Sequence, residues 1–211
     1  MKFELFGLPG CGKSTCCRKI EESTKIGNPM KFYKENFLGK IFFHLFLLTF
    51  QVNNKLNRLY KECLQILGTE TYENAINKAI PKELYLKYMM FIYHLENSKK
   101  VIIIDEGIIH YAIALHAEFH IEMEKIERIV QLLQGKEIKR FGILATVEEC
   151  MGFIQKRNRK NCSIDFLEKE DLKQVLYQYK EGLDYFSQKY EVKTIESIVD
   201  YIKSGEGRNE I

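Results

Sequence analysis

Apolar positions along this chain alternate between short strand-like runs and longer stretches with helical spacing. Residues 101–104 are four consecutive β-branched residues, a pattern typical of a strand that is buried on both faces, as in a parallel sheet. Similar short runs predict further strands at 2–6, 30–33, 140–146 and 190–195. Because helical segments separate these strands, the pattern predicts an α/β fold.

Helical periodicity is clearest in the last third of the chain. Thr146 and Glu149 match a capping box at the start of one helix. A second helix is predicted to start at Asp165, with Glu168 three residues further on, and a last helix covers 198–202. The apolar stripe of the first helix is Val147, Cys150, Met151 and Ile154, and that of the second is Leu172, Val175, Leu176, Tyr179, Leu183 and Phe186.

The region between the second and third strands is predicted to be a long helical insertion, about residues 36–98. Pro81 lies at the start of one of its helices. The helices are predicted at 37–53, 55–67, 72–78 and 82–96. Four aromatic residues of the insertion have helical spacing, which favours a place in the core over the stacking of a base. They are Phe37, Phe42, Phe43 and Phe46.

Composition places the chain among globular proteins, with 211 residues of which 45% are apolar and 29% charged. No linker divides it, so we expect one domain over residues 1–203 and a polar tail at 204–211. The formal net charge of +3 gives nucleic acid binding little support. The most apolar run, residues 41–50, contains His44 and is too short to span a bilayer.

The cysteines and histidines do not predict a metal site. Six cysteines are present without a C-x-x-C pair, which argues against a zinc site. No signal peptide precedes the first strand, so we expect this cysteine-rich protein in the reducing cytoplasm. His116 and His120 have a spacing that can bind zinc on one helix face. No third ligand is evident, and surface histidines at a helix end are the favoured interpretation.

Residues 7–15, with the sequence GLPGCGKST, match the phosphate-binding loop G-x-x-x-x-G-K-[ST] between a predicted strand and a predicted helix at 14–23. Its glycines let backbone N–H groups approach a triphosphate, and the helix N-terminus points at the phosphates. Lys13 is therefore expected on the β- and γ-phosphates of ATP, and Ser14 as a ligand of Mg²⁺. The predicted nucleotide-binding residues are Gly7, Pro9, Gly10, Cys11, Gly12, Lys13, Ser14 and Thr15.

Acidic residues follow the strand at 101–104, at the edge of the sheet where α/β proteins bind ligands. Asp105 is the candidate second Mg²⁺ ligand, as in a Walker B motif. Glu106, one residue further on, is a candidate general base that could take a proton from a hydroxyl group or from water. A charge favoured by a helix N-terminus is the alternative interpretation of Glu106.

Basic residues have two different expected places. Arg157 and Arg159 lie in a basic turn between two helices, where they could neutralise charge on a transferring phosphoryl group. Arg140 stands at the very start of its predicted strand, at the edge of the sheet away from the site, so we expect it to be a surface charge.

This order of elements resembles the nucleoside and nucleotide kinase family of P-loop proteins, among them thymidylate kinases and deoxynucleoside kinases. The resemblance implies a three-layer P-loop NTPase fold with a five-stranded parallel sheet in the order 2-3-1-4-5. It also implies a mobile lid with arginines, about residues 156–165 here. Glu35 is an alternative base, since deoxynucleoside kinases carry an acid after the second strand.

One motif departs from the family pattern. Thymidylate kinases have D-R-[aromatic] and deoxynucleoside kinases have E-R-S, whereas residues 105–107 here are Asp-Glu-Gly. The arginine that usually holds a phosphate or the substrate is therefore missing. For this reason a thymidylate specificity is not transferred to this chain.

Taken together, these features predict an ATP- and Mg²⁺-dependent kinase that phosphorylates a nucleoside, nucleotide or related small acceptor. The alternative is a P-loop ATPase that acts as a switch or regulatory protein, because ATPases also use an Asp-Glu pair to position water. Neither an N-K-x-D guanine motif nor an L-S-G-G-Q signature is present. We expect a small-molecule phosphate acceptor as partner and no membrane, and we consider a homodimer through the helical insertion.

Overall fold

A central parallel β-sheet carries the rest of the molecule. The computed structural model describes residues 2–68, 76, 80–135, 137–157 and 163–205. The strands are β1 (Lys2–Phe6), β2 (Ile102–Ile104), β3 (Ile138–Ile143) and β4 (Glu191–Lys193). Their order is β2-β1-β3-β4, and all neighbours run parallel. β1 pairs with strands on both sides, and its side chains Phe3, Leu5 and Phe6 are fully buried.

The prediction of a fifth strand at 30–33 is wrong, and the described part of the chain has a four-stranded sheet. Residues 29–35 instead form a helix, because Asn28 accepts a hydrogen bond from the Met30 backbone N–H and Pro29 occupies the first helical position. A single parallel bridge between Gly27 and Ile102 marks the place beside β2 where the missing strand was expected. The other four strands follow the expected order 3-1-4-5.

Ten helices surround the sheet in the described part of the chain. They are α1 (Lys13–Ser23), α2 (Pro29–Glu35), α3 (Phe37–Thr49), α4 (Asn54–Leu67), α5 (Lys82–Glu96), α6 (Ile108–Phe119), α7 (Met123–Leu132), α8 (Val147–Lys156), α9 (Lys169–Ser187) and α10 (Ile195–Ser204). Short 3₁₀ turns cover Phe50–Val52 and Ser163–Phe166. None of the described helices is long and apolar enough to cross a membrane.

Most predicted helix boundaries agree with these helices. The capping box of α8 is present, with the Glu149 N–H donating to Thr146 Oγ1 and the Thr146 N–H donating to Glu149 Oε2. The helix predicted at 72–78 lies outside the described residues apart from residue 76, and so does the tail from residue 206.

Two helix starts were wrongly predicted. The helix predicted from Asp165 begins four residues later, because the Asp165 carboxylate is bound to Arg157 and is not available as a cap. The last helix begins at Ile195 rather than 198, because Thr194 caps it by accepting from the Ser197 N–H.

The expectation for Arg140 is also wrong. β3 begins at Ile138, so Arg140 lies inside the strand, and 4% of it is exposed. Its Nε donates to Glu4 Oε2 at 2.8 Å, and a terminal nitrogen donates to Glu96 Oε2 at 3.4 Å. Arg140 is therefore part of a buried ionic cluster, not a surface charge.

The aromatic residues of α3 divide between two faces. The rings of Phe43 and Phe46 pack on Phe91 with centroids 4.9 and 5.0 Å apart, as the core interpretation expects. Phe37 and Phe42, in contrast, are 75% and 61% exposed, so the core interpretation is wrong for these two.

Candidate phosphate-binding and acceptor site

The loop between β1 and α1 has the backbone shape that its glycines allow. Gly10 and Gly12 have φ angles of 84° and 95°, in the left-handed region that favours glycine. A Cβ on Gly10 would lie 2.9 Å from the Cys150 carbonyl oxygen, so the packing of the loop on α8 also excludes a side chain. No side chain caps α1, which leaves the N–H groups of its first turn available for an anion.

Lys13 is folded into this loop. Its Nζ donates to the carbonyl oxygens of Gly7 and Leu8, both at 2.9 Å, and 9% of the residue is exposed. The ammonium group thus binds the backbone of the loop itself. The two residues that follow Lys13 in sequence, Ser14 and Thr15, are exposed. A phosphate oxygen reaching this loop could replace the two carbonyl acceptors.

Ser14 and Asp105 are 91 residues apart in sequence and in direct contact in the structure. Ser14 Oγ donates to Asp105 Oδ2 at 2.8 Å. The other carboxylate oxygen, Oδ1, accepts from Asn28 Nδ2 at 2.7 Å. A hydroxyl and a carboxylate side by side at the mouth of a phosphate loop are the hard oxygen ligands that Mg²⁺ prefers, so these residues fit the ion.

A cavity of about 410 Å³ opens beside these two residues. Both candidate bases, Glu35 from α2 and Glu106 from the turn after β2, line it. Its other charged residues are Arg18, Glu21, Lys31 and Asp105. The wall therefore contains four carboxylates and two cationic groups, and one of the carboxylates is the candidate metal ligand Asp105.

Two tyrosines are close to Glu106. Tyr111 Oη donates to Glu106 Oε2 at 3.5 Å, and the Tyr88 and Tyr111 rings stack with centroids 5.2 Å apart. Burial, and then the charge of Glu106, raises the pKa of Tyr111 well above its ordinary value and also raises the pKa of Tyr88. Both phenols therefore stay protonated, and Tyr111 remains a hydrogen-bond donor to Glu106.

The turn that carries Asp105 and Glu106 rests on a side chain from the neighbouring strand. Glu4 is fully buried, and its Oε1 accepts from the Ile109 N–H at 2.6 Å. A Cβ on Gly107 would lie 2.3 Å from Glu4 Cδ, which explains why glycine stands at this point. The glycine of the Asp-Glu-Gly sequence thus leaves the space that the buried Glu4 side chain of β1 occupies.

The two lid arginines have different outcomes. Arg157 donates from Nε to Asp165 Oδ1 at 2.8 Å and forms a second bond to the same oxygen from a terminal nitrogen. Its guanidinium is therefore held by an acid whose side chain is 2% exposed. Arg159 lies outside the described residues, and the lid is described only at 156–157 and 163–165.

The histidine pair on α6 makes protein contacts. His116 Nδ1 lies 2.8 Å from the Ile121 carbonyl oxygen, and its Nε2 lies 3.7 Å from Glu181 Oε2. His120 is exposed at the end of the helix. Over the described residues, no three His, Cys, Asp or Glu side chains form a group that could hold a metal ion.

Sequence reasoning missed Asn28 and Glu4. The Asn-Pro dipeptide at 28–29 is a turn and helix-start signal that could have pointed to α2. A lone acid in the middle of a strand buried on both faces, as Glu4 is, could have pointed to a buried partner. Which partner it was could not be read locally, because Arg140 is 136 residues away.

Comparison with solved structures finds the same fold in deoxyadenosine kinases. A deoxyadenosine kinase from M. mycoides, solved with the products dCMP and dCDP, has a TM-score of 0.55 and 12% sequence identity, with 99% of each chain covered. The same kinase with bound dCTP has a TM-score of 0.48 and 14% sequence identity, with 99% of this chain and 100% of the kinase covered. With bound dATP the TM-score is 0.47 and the sequence identity 15%, with 98% of this chain and 99% of the kinase covered. No protein-family model and no curated protein matches the sequence.

The expected resemblance to P-loop nucleoside kinases is therefore confirmed at the level of the fold. The chain has a parallel α/β sheet with a phosphate loop after its first strand, and the likeness extends over nearly its whole length.

Proposed function

We propose that this protein is a kinase that transfers the γ-phosphoryl group of Mg·ATP to a hydroxyl group of a nucleoside or related small acceptor. The observation that carries the proposal is a single cavity lined by the Ser14–Asp105 pair and by two further carboxylates, Glu35 and Glu106. A structural neighbour is a deoxyadenosine kinase that was solved with the products dCMP and dCDP, which supports the nucleoside class.

Each residue has a proposed role. Lys13 exchanges its two carbonyl acceptors for β- and γ-phosphate oxygens, and the loop amides bind the remaining oxygens. Ser14 and Asp105 hold Mg²⁺, which neutralises phosphate charge when bound. Glu106 or Glu35 takes the proton of the acceptor hydroxyl while its oxygen attacks the γ-phosphorus. The bond from that phosphorus to the bridging oxygen breaks, and ADP leaves.

The charges of the cavity support a hydroxyl acceptor rather than a phosphate acceptor. With Asp105 assigned to Mg²⁺, three carboxylates remain on the wall, Glu21, Glu35 and Glu106, against two cationic groups, Arg18 and Lys31. A nucleoside monophosphate would bring about two further negative charges into this wall without the arginine that the family usually supplies. A nucleoside brings none, and its hydroxyl groups can donate to the carboxylates.

An ATPase that positions water with Glu106 is the competing function. Acceptor dependence separates the two, because a kinase excludes water until its acceptor is bound. We expect ATP turnover to be slow alone and to rise at least ten-fold with the correct nucleoside. Fast turnover without acceptor would contradict the kinase.

The two candidate bases are compared in the same assay. Glu106→Gln should reduce acceptor-stimulated turnover at least 100-fold while ATP still binds, and Glu35→Gln should have a smaller effect. The reverse order would assign the base to Glu35. Full activity of both variants would refute a carboxylate base in this cavity.

We also propose that the protein forms a homodimer through α3. Seven exposed side chains of α3 and the following turn are apolar and lie at helical spacing, beside the exposed Lys40 and His44; they are Phe37, Leu38, Ile41, Phe42, Leu45, Leu48 and Val52. Together they present on the order of 800 Å² of apolar surface, about what each partner contributes to a standard interface. Lys40 lies at the edge of this stripe, where it can stay in solvent while a second copy covers the apolar side chains by two-fold symmetry.

Light scattering tests the homodimer. We expect twice the chain mass for the wild type and for Gln65→Glu, a change of equal charge at an exposed position on α4. Phe42→Glu should give the mass of one chain, because an acid in the centre of the stripe would be buried unpaired. A monomeric wild type would refute the interface.

A further inference from the structure

Glu4 is a buried acid that the proposed chemistry does not use directly. It lies in the middle of β1, fully buried, and points under the turn that joins β2 to α6. Its Oε1 accepts from the Ile109 N–H at 2.6 Å. The turn approaches so closely that Gly107 has no room for a Cβ, which would lie 2.3–2.4 Å from three Glu4 side-chain atoms.

The Glu4 carboxylate is itself held from the other side. Arg140 Nε donates to Glu4 Oε2 at 2.8 Å, and both side chains are at most 1% exposed. The same guanidinium donates to Glu96 Oε2 at 3.4 Å. One arginine therefore lies between two carboxyl groups, of which Glu4 contacts the turn and Glu96 lies beside Gly135.

The hydrogen bonds indicate which of the two carboxyl groups carries the charge. Glu4 accepts from Arg140 and from the backbone N–H of Ile109, whereas Glu96 Oε1 is buried without a partner. Burial raises the pKa of both carboxyl groups, to about 8 for Glu96, where the neighbouring Glu4 adds to the rise, whereas Arg140 and the Ile109 N–H work against the rise at Glu4. The shorter contacts are those of Glu4, from Arg140 at 2.8 Å and from the Ile109 N–H at 2.6 Å, so Glu4 is the carboxylate better placed to neutralise Arg140 and to anchor the start of α6.

We propose that Glu4, locked by Arg140, is a positioning residue that fixes the Asp105–Glu106–Gly107 turn in the geometry that catalysis needs. This inference rests on the proposed function of the site. Glu4 touches neither ATP nor the acceptor. It acts through the backbone of the turn, because Gly107 packs on the Glu4 side chain and the Ile109 N–H donates to it. Asp105, which contacts Ser14, lies two residues before Gly107 in the same turn.

The position of the turn matters because a small displacement of its backbone would move the residues that are proposed to act on the substrates. Asp105 and Glu106 are consecutive and face the same cavity, so a shift of the turn moves the metal ligand and the candidate base together. A displacement of about 1 Å at reacting groups can cost on the order of 100-fold in rate. The charged carboxylate of Glu4, which accepts a hydrogen bond from the turn, resists such a shift better than a neutral hydrogen-bond acceptor would.

The test compares Glu4→Gln with Glu96→Gln. Both variants remove one carboxyl group from the same guanidinium, and in each the other acid can still pair with Arg140. Only Glu4→Gln weakens the anchor of the turn. At a temperature where circular dichroism shows both variants folded, we expect Glu4→Gln to lower kcat at least ten-fold and to raise the Mg²⁺ concentration for half-maximal rate at least three-fold. Its KM for ATP should change less than three-fold.

Glu96→Gln should keep kcat, the Mg²⁺ concentration for half-maximal rate and the KM for ATP within about two-fold of the wild type. Equal losses in both variants would mean that the ionic cluster only stabilises the core, and would overturn the inference. An unchanged Glu4→Gln would overturn it as well. If Glu4→Gln does not fold, Gly107→Ala decides, because it pushes the turn away from Glu4. The same loss of kcat and Mg²⁺ affinity supports the inference, and wild-type values refute it.

Failure of the proposed function would be visible separately, as a wild type without phosphoryl transfer. The anchor can then still be measured by hydrogen exchange of the amides at 107–110. Exchange at least ten-fold faster in Glu4→Gln than in Glu96→Gln supports positioning of the turn by Glu4, and equal exchange in the two variants refutes it.

Discussion

At the scale of single residues, Asn28 links two parts of the site. Its side-chain oxygen caps α2 by accepting from the Met30 N–H at 3.0 Å, and its amide nitrogen donates to Asp105 Oδ1 at 2.7 Å. The Asn28 N–H in turn donates to Glu21 Oε1 at 2.7 Å. One side chain thus orients the candidate metal ligand and starts the helix that brings Lys31 and Glu35 to the cavity.

This double role predicts that the two effects can be separated. Asn28→Ser retains a capping oxygen but is too short to reach Asp105, so we expect kcat to fall about five-fold or more with stability nearly unchanged. Asn28→Ala should lose the same activity and, in addition, about 1 kcal/mol of the free energy of unfolding. Steady-state kinetics and urea unfolding measure both. Wild-type kcat in Asn28→Ser would contradict the role of the amide.

Glu96 predicts a pH dependence of stability. Its pKa is raised in the folded protein from an ordinary value of 4.5 to about 8, chiefly by burial and then by Glu4. Between these two pH values the unfolded chain has released the proton while the folded protein keeps it. The unfolded state therefore binds fewer protons, and this group makes the free energy of unfolding fall as the pH rises from 4.5 to 8.

Glu96→Gln should remove this fall. Relative to the wild type, we expect the variant to gain stability on the order of 3 kcal/mol between pH 5 and pH 8. Glu149→Gln is the control, because the contribution of this group stays constant between pH 5 and pH 8. The pKa of Glu149 is lowered by the Thr146 N–H, so its contribution is present above the unfolded pKa and is lost in acid. Urea unfolding across this pH range decides, and parallel curves for wild type and Glu96→Gln would refute the assignment.

At the scale of elements, the sequence was most informative where the cause of an element is local. The phosphate loop, the capping box of α8 and the apolar stripe of α9 could be predicted, because their determinants lie within a few residues of one another. α2 was predicted as a strand, although its cap at Asn28 and Pro29 is local, because short apolar runs fit either element.

Long-range pairing could not be predicted in this way. Arg140 lies inside the core because its two partners, Glu4 and Glu96, come from β1 and α5. The helix start predicted at Asp165 failed for a similar reason, since that carboxylate binds Arg157. The lid arginine itself is thereby held within the protein, and its predicted contact with phosphate requires exchange of one anionic partner for another.

A matched pair of variants tests the lid. Arg157→Ala should lower kcat about ten-fold or more, since it removes a charge that would neutralise the transferring group, whereas Lys156→Ala at the exposed neighbouring position should stay within two-fold. A non-hydrolysable ATP analogue should also slow hydrogen exchange over residues 156–165. Equal activity of the two variants, with unchanged exchange, would leave this segment a surface patch without a role in transfer.

At the scale of the whole molecule, the parallel sheet explains why distant residues meet. β1 and β2 are neighbours, so the phosphate loop after β1 and the acids after β2 reach the same edge of the sheet, and Ser14 contacts Asp105. The outer strand is reduced to the bridge at Gly27, and α2 follows directly. This brings Glu35 into the same cavity as Glu106.

Transfer of labelled γ-phosphate from ATP is the most direct test of this account. The wild-type protein and Lys13→Ala are incubated with Mg²⁺ and labelled ATP, with a panel of nucleosides, nucleoside monophosphates, sugars and oligonucleotides, and without an acceptor. We predict label in the monophosphate of at least one nucleoside, little release of labelled phosphate without an acceptor, and loss of transfer in Lys13→Ala. Rapid release of free phosphate that no acceptor changes, or label only on an already phosphorylated acceptor, would contradict the account.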